Sequence, residues 1–254
     1  MEKKDYRTLI DGDIPPYVMR FIKLVGKGIN DYSMINENNT ILIAASGGKD
    51  SLALTLALAL RKKWLPISYN LKALMIDWKE HPVGDDNLKK IEKYYSDLGV
   101  ELVIKRENQF PESFKGDFNC YLCARNRRRI LFEKANESGI KQIAMGHHLD
   151  DFAETTLMNL AFRANFSTMQ PVQEFFNGKI YIIRPMVYVH ESTTRHIAEE
   201  YDIPTIKPVC PYDQTNVRAR LKPIISELCH IDKLTREHML NAHTFSHPLK
   251  REEN

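Results

Sequence analysis

The stretch ILIAASGGKDSLALTLALAL, Ile41 to Leu60, runs from an apolar, β-branched segment through two adjacent glycines straight into a helical pattern. With Gly47 and Gly48 at the turn, no Cβ keeps a partner away from the backbone N–H groups. In a parallel sheet the turn from a strand into its helix lies at the carboxyl edge, where ligands bind. A helix N-terminus at that point adds a field that favours an anion. The expected partner is a phosphate, and the plainer alternative is a tight turn with a serine cap. The pattern is neither the G-x-x-x-x-G-K-[ST] loop nor G-x-G-x-x-G, since only Ser46 precedes the glycines and Lys49, Asp50 and Ser51 follow at once.

Working outward, apolar runs at 41–45, 71–76, 100–104 and 142–145 alternate with helical patterns near 51–63, 85–98, 121–138 and 150–163. A short strand at 179–185 makes five. Strands separated by helices predict an α/β protein, its parallel sheet covered on both faces. Helical patterns near 191–201, 217–229 and 232–245 close the chain, and 16–35 has helical spacing before the first strand. The predicted organisation is an N-terminal helical extension (1–39), a nucleotide-binding domain (40–205) and a C-terminal helical segment (206–254).

The composition of the 254 residues, 43% hydrophobic and 27% charged, is that of a globular protein rather than a disordered one. A net charge of +3 makes no case for nucleic acid by itself, so any such case rests on local clusters. The first thirty residues lack the uninterrupted apolar core of a signal peptide, and no segment is long enough to span a bilayer, so a cytoplasmic location is expected.

There are four cysteines, at 120, 123, 210 and 229. In a reducing compartment a close pair such as CYLC, Cys120 to Cys123, binds metal or does redox chemistry more often than it forms a disulfide. A helix beginning there favours a thiolate at its N-terminus. Cys210, between Pro208 and Pro211, is the candidate for a third ligand, whereas Cys229 in LKPIISELCHI reads as a small buried hydrophobe on a helix. Four sulfurs would make a closed structural zinc site; three would leave a position open, which suits an iron–sulfur cluster. In IAMGHHLDD, Gly146 makes a turn after a strand, and Asp150 or Asp151 stands where a helix cap is expected. A carboxylate at that sheet edge could hold Mg2+ on a nucleotide, while the neighbours His147 and His148 are poor candidates for one shared metal.

SGGKDS matches the pyrophosphate loop of the N-type ATP pyrophosphatases, which split ATP between the α and β phosphates. With CYLCARNRRR, GHHLDD, IIRPM at 182–186 and the single-cysteine CPY following in order, the chain resembles tRNA thiolation enzymes, above all the tRNA 2-thiocytidine synthetase family. The resemblance runs from about Met34 to Leu228. Two departures stand out. CPYDQTN lacks the second cysteine often found there, which is more like the related tRNA 2-thiouridine synthetases, yet this chain has none of the terminal cysteine pairs usual in those relatives. Lysidine synthetases share SGGKDS but lack the CYLC segment.

The resemblance implies an adenine-nucleotide α-hydrolase-like fold, a parallel five-stranded sheet sandwiched by helices, with N- and C-terminal helical additions. It implies ATP, Mg2+ and a [4Fe-4S] cluster held by Cys120, Cys123 and Cys210. The implied ATP-binding residues are Ser46, Gly47, Gly48, Lys49, Asp50, Ser51, Met75, Gly146 and Asp151, with Asp50 and Asp151 toward Mg2+ and Asp77 toward the ribose. The implied catalytic set is Asp50, Cys120, Cys123, Cys210 and Arg127. For tRNA the candidates are Arg125, Arg128, Arg129, Arg218, Arg220 and Lys222, because arginines in the first turns of a helix oppose its dipole and so point to an anionic partner. The implied reaction is sulfur transfer to C2 of a tRNA pyrimidine through an adenylated base, with a persulfide carrier or inorganic sulfide as donor and a homodimer as a candidate state. A non-catalytic nucleotide sensor and a zinc-stabilised RNA-binding module are the alternatives from other classes.

Overall fold

The computed structural model describes residues 3–64, 67–110, 114, 120–207 and 217–242. Two compact units divide it, Met1–His148 with Pro171–Pro211, and Leu149–Gln170 with Tyr212–Asn254.

The first unit is built on a six-stranded sheet. Its strands are β1 (Asn39–Ala45), β2 (Tyr69–Trp78), β3 (Glu101–Glu107), β4 (Gln142–Ala144), β5 (Val172–Phe175) and β6 (Ile180–Ile183), in the order β3-β2-β1-β4-β6-β5. The five strands expected from the sequence are all present and mutually parallel. The addition is β5, an antiparallel edge strand paired with β6. Four residues, VQEF, are too few for a period to emerge, and the hairpin with β6 supplies what the pattern lacks.

Alternation along the strands decides which helices cover which face. Ile41, Ile43 and Ala45 of β1, with Leu71, Ala73 and Met75 of β2, belong to one core, whereas Leu42, Leu74 and Trp78 belong to the other. The first core receives α2 (Pro16–Asp31), α3 (Lys49–Arg61), α4 (Asp85–Asp97) and α7 (Glu191–Glu200); the second receives α5 (Cys120–Glu137) through Ile130, Leu131 and Ala135. A short α1 (Thr8–Asp11), unforeseen in the sequence, adds Leu9 to the first core.

Helix α3 is apolar all round and buried nearly throughout, as a helix surrounded by protein must be. Its few polar groups are matched from α4: Thr55 Oγ1 donates to the Tyr95 hydroxyl (3.1 Å), and the Tyr94 hydroxyl donates to the Leu52 carbonyl (3.0 Å). Both tyrosines are fully buried, and burial pushes their phenols up from the ordinary value, so they stay neutral.

From β1 the chain runs outward through β2 to β3, then returns through α5 to β4 on the other side of β1. The loops after β1 and β4 therefore part company at the carboxyl edge, the switch point where open α/β sheets bind ligands.

The second unit packs α6 (Leu149–Arg163), α8 (Val217–Ile231) and α9 (Thr235–Asn241) together. Thr156 Oγ1 reaches the Met239 carbonyl (3.3 Å), joining α6 to α9. The expected last helix, 232–245, is realised over 235–241, and residues from 243 onward lie outside the described residues. No described helix is long and apolar enough to cross a membrane.

Candidate active site

The loop Ser46-Gly47-Gly48 joins β1 to α3 and is closed on itself by two serines. Ser51 Oγ accepts from the Ser46 amide (3.2 Å) and hydroxyl (3.1 Å) and donates to the Gly48 carbonyl (3.0 Å), while the Gly48 amide donates to Ser46 Oγ (3.3 Å). The two glycines serve different ends. Gly47 has φ +73°, and a Cβ there would stand 2.7 Å from Ile206 Cδ1, while the Ile206 amide donates to the Gly47 carbonyl (2.8 Å). Gly48 is the N-cap of α3 with an extended backbone, and a Cβ there would meet only Ser46 Oγ, at 3.4 Å. Gly47 is therefore required by protein packing and a left-handed turn, and Gly48 is the one that leaves open space for a ligand. Gly47→Ala is expected to cost about 1–2 kcal/mol from the left-handed backbone, lowering the melting temperature by roughly 2–8 °C in calorimetry.

Lys49 and Asp50 form the first turn of α3. Lys49 Nζ bridges Asp50 Oδ2 and Glu191 Oε1, each at 2.9 Å, and Asp50 Oδ1 accepts from Thr194 Oγ1 (2.6 Å). Partial burial pulls the Lys49 ammonium down, but Asp50 and Glu191 more than offset it, so its pKa lies above the ordinary lysine value and the charge is fixed. His148 Nε2 stands 3.8 Å from Asp50 Oδ2. His147 serves elsewhere, its Nδ1 accepting from Arg184 Nε (3.3 Å), so the two histidines go to different partners. Gly146 presses against the start of α3, where a Cβ would meet Asp50 C and Ser51 N at 3.0 Å. Glu191 and Thr194, on α7 and far away in sequence, carry no motif that would have marked them.

Met75 lies in β2 opposite Ala45, the last residue of β1, and β2 continues two residues further than the apolar run implied. Asp77, expected toward a ribose, is instead buried: it accepts from the Val83 amide (2.9 Å) and Arg106 Nε (3.2 Å), bracing the loop into α4.

Cys120 and Cys123 occupy the first turn of α5, one exposed and one half-buried. Residues three apart share a helix face, and the orphan amides of a helix start favour thiolate and bound anionic groups. Two soft thiols one turn apart fit a thiolate-bound metal. Among the described residues no group of three His, Cys, Asp or Glu gathers for a metal, and Cys210 lies outside the described residues. Behind the pair, the Arg127 guanidinium lies over the Trp78 indole at 5.8 Å, and Arg129 pairs with Glu133 on its own helix. Arg125 is exposed and Arg128 half-buried.

In the second unit Asp150 and Asp151 fall inside the first turn of α6, which begins at Leu149, rather than at its cap. Asp150 pairs with Arg236 (2.6 Å), Asp151 faces Arg218 (3.7 Å) and the buried Glu154 faces Lys222 (3.8 Å), while Arg220 is exposed. Cys229 is half-buried and its sulfur accepts from Arg236 Nη1 (2.8 Å), a more polar setting than the apolar pattern implied.

A glycine-paired loop closed by serines, a charged Lys-Asp turn and the β1/β4 switch point define a nucleotide-binding α/β protein. Residues 19–228 match the PP-loop domain family, and the chain belongs to it. Among curated proteins it is 36% identical over 214 residues to the tRNA-cytidine(32) 2-sulfurtransferase of Syntrophotalea carbinolica, covering 81% of each chain. It is 34% identical to the enzyme of that name from Burkholderia multivorans, covering 82% of this chain but 63% of the longer relative. Among solved structures it is similar to the U34-tRNA thiolase NcsA of Methanococcus maripaludis with its [4Fe-4S] cluster, with TM-score 0.72 and 22% identity over 90% of this chain and 78% of that one. The last likeness is one of fold.

Proposed function

We propose that this protein is an ATP-dependent tRNA sulfurtransferase that replaces the C2 oxygen of a pyrimidine by sulfur, with cytidine in the anticodon loop as the preferred base. The observation that carries the reading is 36% identity, over four-fifths of both chains, to a tRNA-cytidine(32) 2-sulfurtransferase. The joint presence of the SGGKDS loop and the CYLC pair within one compact unit supports it. The 2-thiouridine reaction is the second reading, favoured by the single cysteine in CPYDQTN.

The chain's own residues divide the work as follows. Backbone amides of the loop from Ser46 to Ser51 and the N-terminus of α3 hold the phosphates, and Lys49, fixed in its charged state, neutralises the charge that grows on departing pyrophosphate. Backbone atoms at Met75, in register with the end of β1, and at Gly146, packed on the start of α3, are the proposed neighbours of the nucleoside. The pyrimidine C2 oxygen attacks the α phosphorus and the bond to pyrophosphate breaks. Hydrosulfide, supplied free or displaced from a persulfide carrier by a second thiol that is left in a disulfide with the carrier, then adds at C2, the C2–O bond breaks, AMP leaves with the oxygen and the S–H proton is lost.

Cys120, Cys123 and Cys210 are the proposed holders of a [4Fe-4S] cluster, which with three protein ligands supplies an iron with an open position for a sulfur donor. For Mg2+ the fit is poorer. Asp50 already accepts from Thr194 and Lys49, and Asp151 faces Arg218, so the ion is proposed to travel on the nucleotide's phosphate oxygens.

The direct test incubates the reconstituted protein with ATP, sulfide and unmodified tRNA, digests the tRNA to nucleosides and weighs them. A 2-thiocytidine peak with matching AMP supports the reading, a 2-thiouridine peak selects the second base, and ATP cleavage without any thionucleoside overturns both. For the RNA contact, Arg125→Ala/Arg128→Ala is expected to weaken tRNA binding at every sequence and to flatten the log–log salt slope by about two, one per lost phosphate contact. An unchanged slope removes α5 from the RNA surface.

A further inference from the structure

Gln109 follows β3 by two residues and, although polar, is 2% exposed. Its backbone is fixed on both sides. The amide donates to the two carboxylate oxygens of Glu80, each at 2.9 Å, and the carbonyl accepts from Asn126 Nδ2 (3.0 Å), which also reaches the Asn108 carbonyl (3.1 Å). Asn126 lies on α5 one turn beyond Cys123, so the clamp ties Gln109 to the helix that carries the cysteine pair. The side chain then runs to Cys123, and its amide nitrogen donates to the sulfur at 3.1 Å.

A thiol sulfur is a weak acceptor, and a buried amide directed at one gains little over other partners. The same bond becomes charge-assisted, and about twice as strong, when the sulfur is a thiolate. The arrangement therefore gains most when Cys123 carries negative charge as a metal ligand. Hydrogen bonds to ligand sulfurs withdraw charge from a cluster and raise its reduction potential. We propose that Gln109 is a positioning residue for Cys123, fixing the sulfur's direction and raising the potential of the cluster it holds. The inference rests on the proposed cluster, and nothing in the sequence motifs points to it.

The test reconstitutes wild type, Gln109→Met and Gln109→Glu anaerobically and measures iron content, melting temperature and a redox titration followed by absorbance and electron paramagnetic resonance. Methionine keeps the length and loses the donor; glutamate sets an acceptor against the sulfur. Expected is a cluster in each, with the reduced-to-oxidised ratio at a fixed potential about tenfold lower in Gln109→Met, equivalent to about 59 mV for a one-electron couple, and lower still in Gln109→Glu. Loss of the cluster from both variants at unchanged melting temperature also supports positioning. A cluster of unaltered potential in both overturns the assignment, as does loss of the cluster together with the fold. A wild-type protein that takes up no cluster overturns both this assignment and the sulfur-transfer reading beneath it, so the two failures are told apart by the wild-type sample.

Discussion

Lys49→Ala is expected to lower kcat for tRNA-dependent pyrophosphate release by roughly a thousandfold, about 4 kcal/mol of transition-state stabilisation, while leaving the protein folded. The size of the effect follows from position. Lys49 Nζ is the cation held between Asp50 and Glu191, and its removal sets two carboxylates near a loop meant for phosphates. Arg195, 3.4 Å from Glu191, remains to compensate one of them in part. The fold should survive because α7 is anchored by apolar Ile197 and Ala198 and by the buried Thr194, none of which needs the lysine charge. Lys49→Arg keeps the charge with a different shape and should recover part of the loss. Pyrophosphate release measured beside thermal melting separates the two effects, and a variant that melts early without losing turnover per folded molecule would assign Lys49 to stability alone.

The second large effect concerns the cysteines. Cys120→Ala and Cys123→Ala are each expected to reduce iron from about four per chain to below one and to abolish thionucleoside formation. ATP affinity, measured by calorimetry, should stay unchanged, because the serine-closed loop and Lys49 make no hydrogen bond to α5 among the described residues. Cys229→Ala should keep its iron, since the Cys229 sulfur is held by Arg236 in the second unit. Iron lost with Cys229 as well would point to a four-sulfur site and a structural metal.

Much of this was legible in the residues. The five parallel strands follow from apolar runs interrupted by amphipathic segments, and the special loop from the glycine pair set between strand and helix. What escaped was of three kinds. The edge strand β5 is made by its partner rather than by its own pattern. Asp77, which the resemblance directs toward a ribose, is held by a loop amide and Arg106, contacts that only the tertiary fold creates. Glu191, Thr194 and Gln109 act through contacts that only the tertiary fold creates, and single residues of common type leave no period or spacing to read. Of the glycine pair, the first member answers to Ile206 as much as to any ligand, and the sequence around it carries no sign of that contact.

The burial of α3 has one further consequence. A phosphate loop mounted on an exposed helix could fray by itself, and part of the nucleotide's binding energy would go into ordering it. Here the helix behind the loop is enclosed, with Tyr94 and Tyr95 bonded into its first two turns. The helix has no separate route to melting, so the hydrogen-bonded amides of α3, from Leu52 onward, should exchange only as the whole first unit opens. Nucleotide added in excess should then raise the free energy of opening across all of that unit's central strands together, by an amount that grows as the logarithm of its concentration over its dissociation constant.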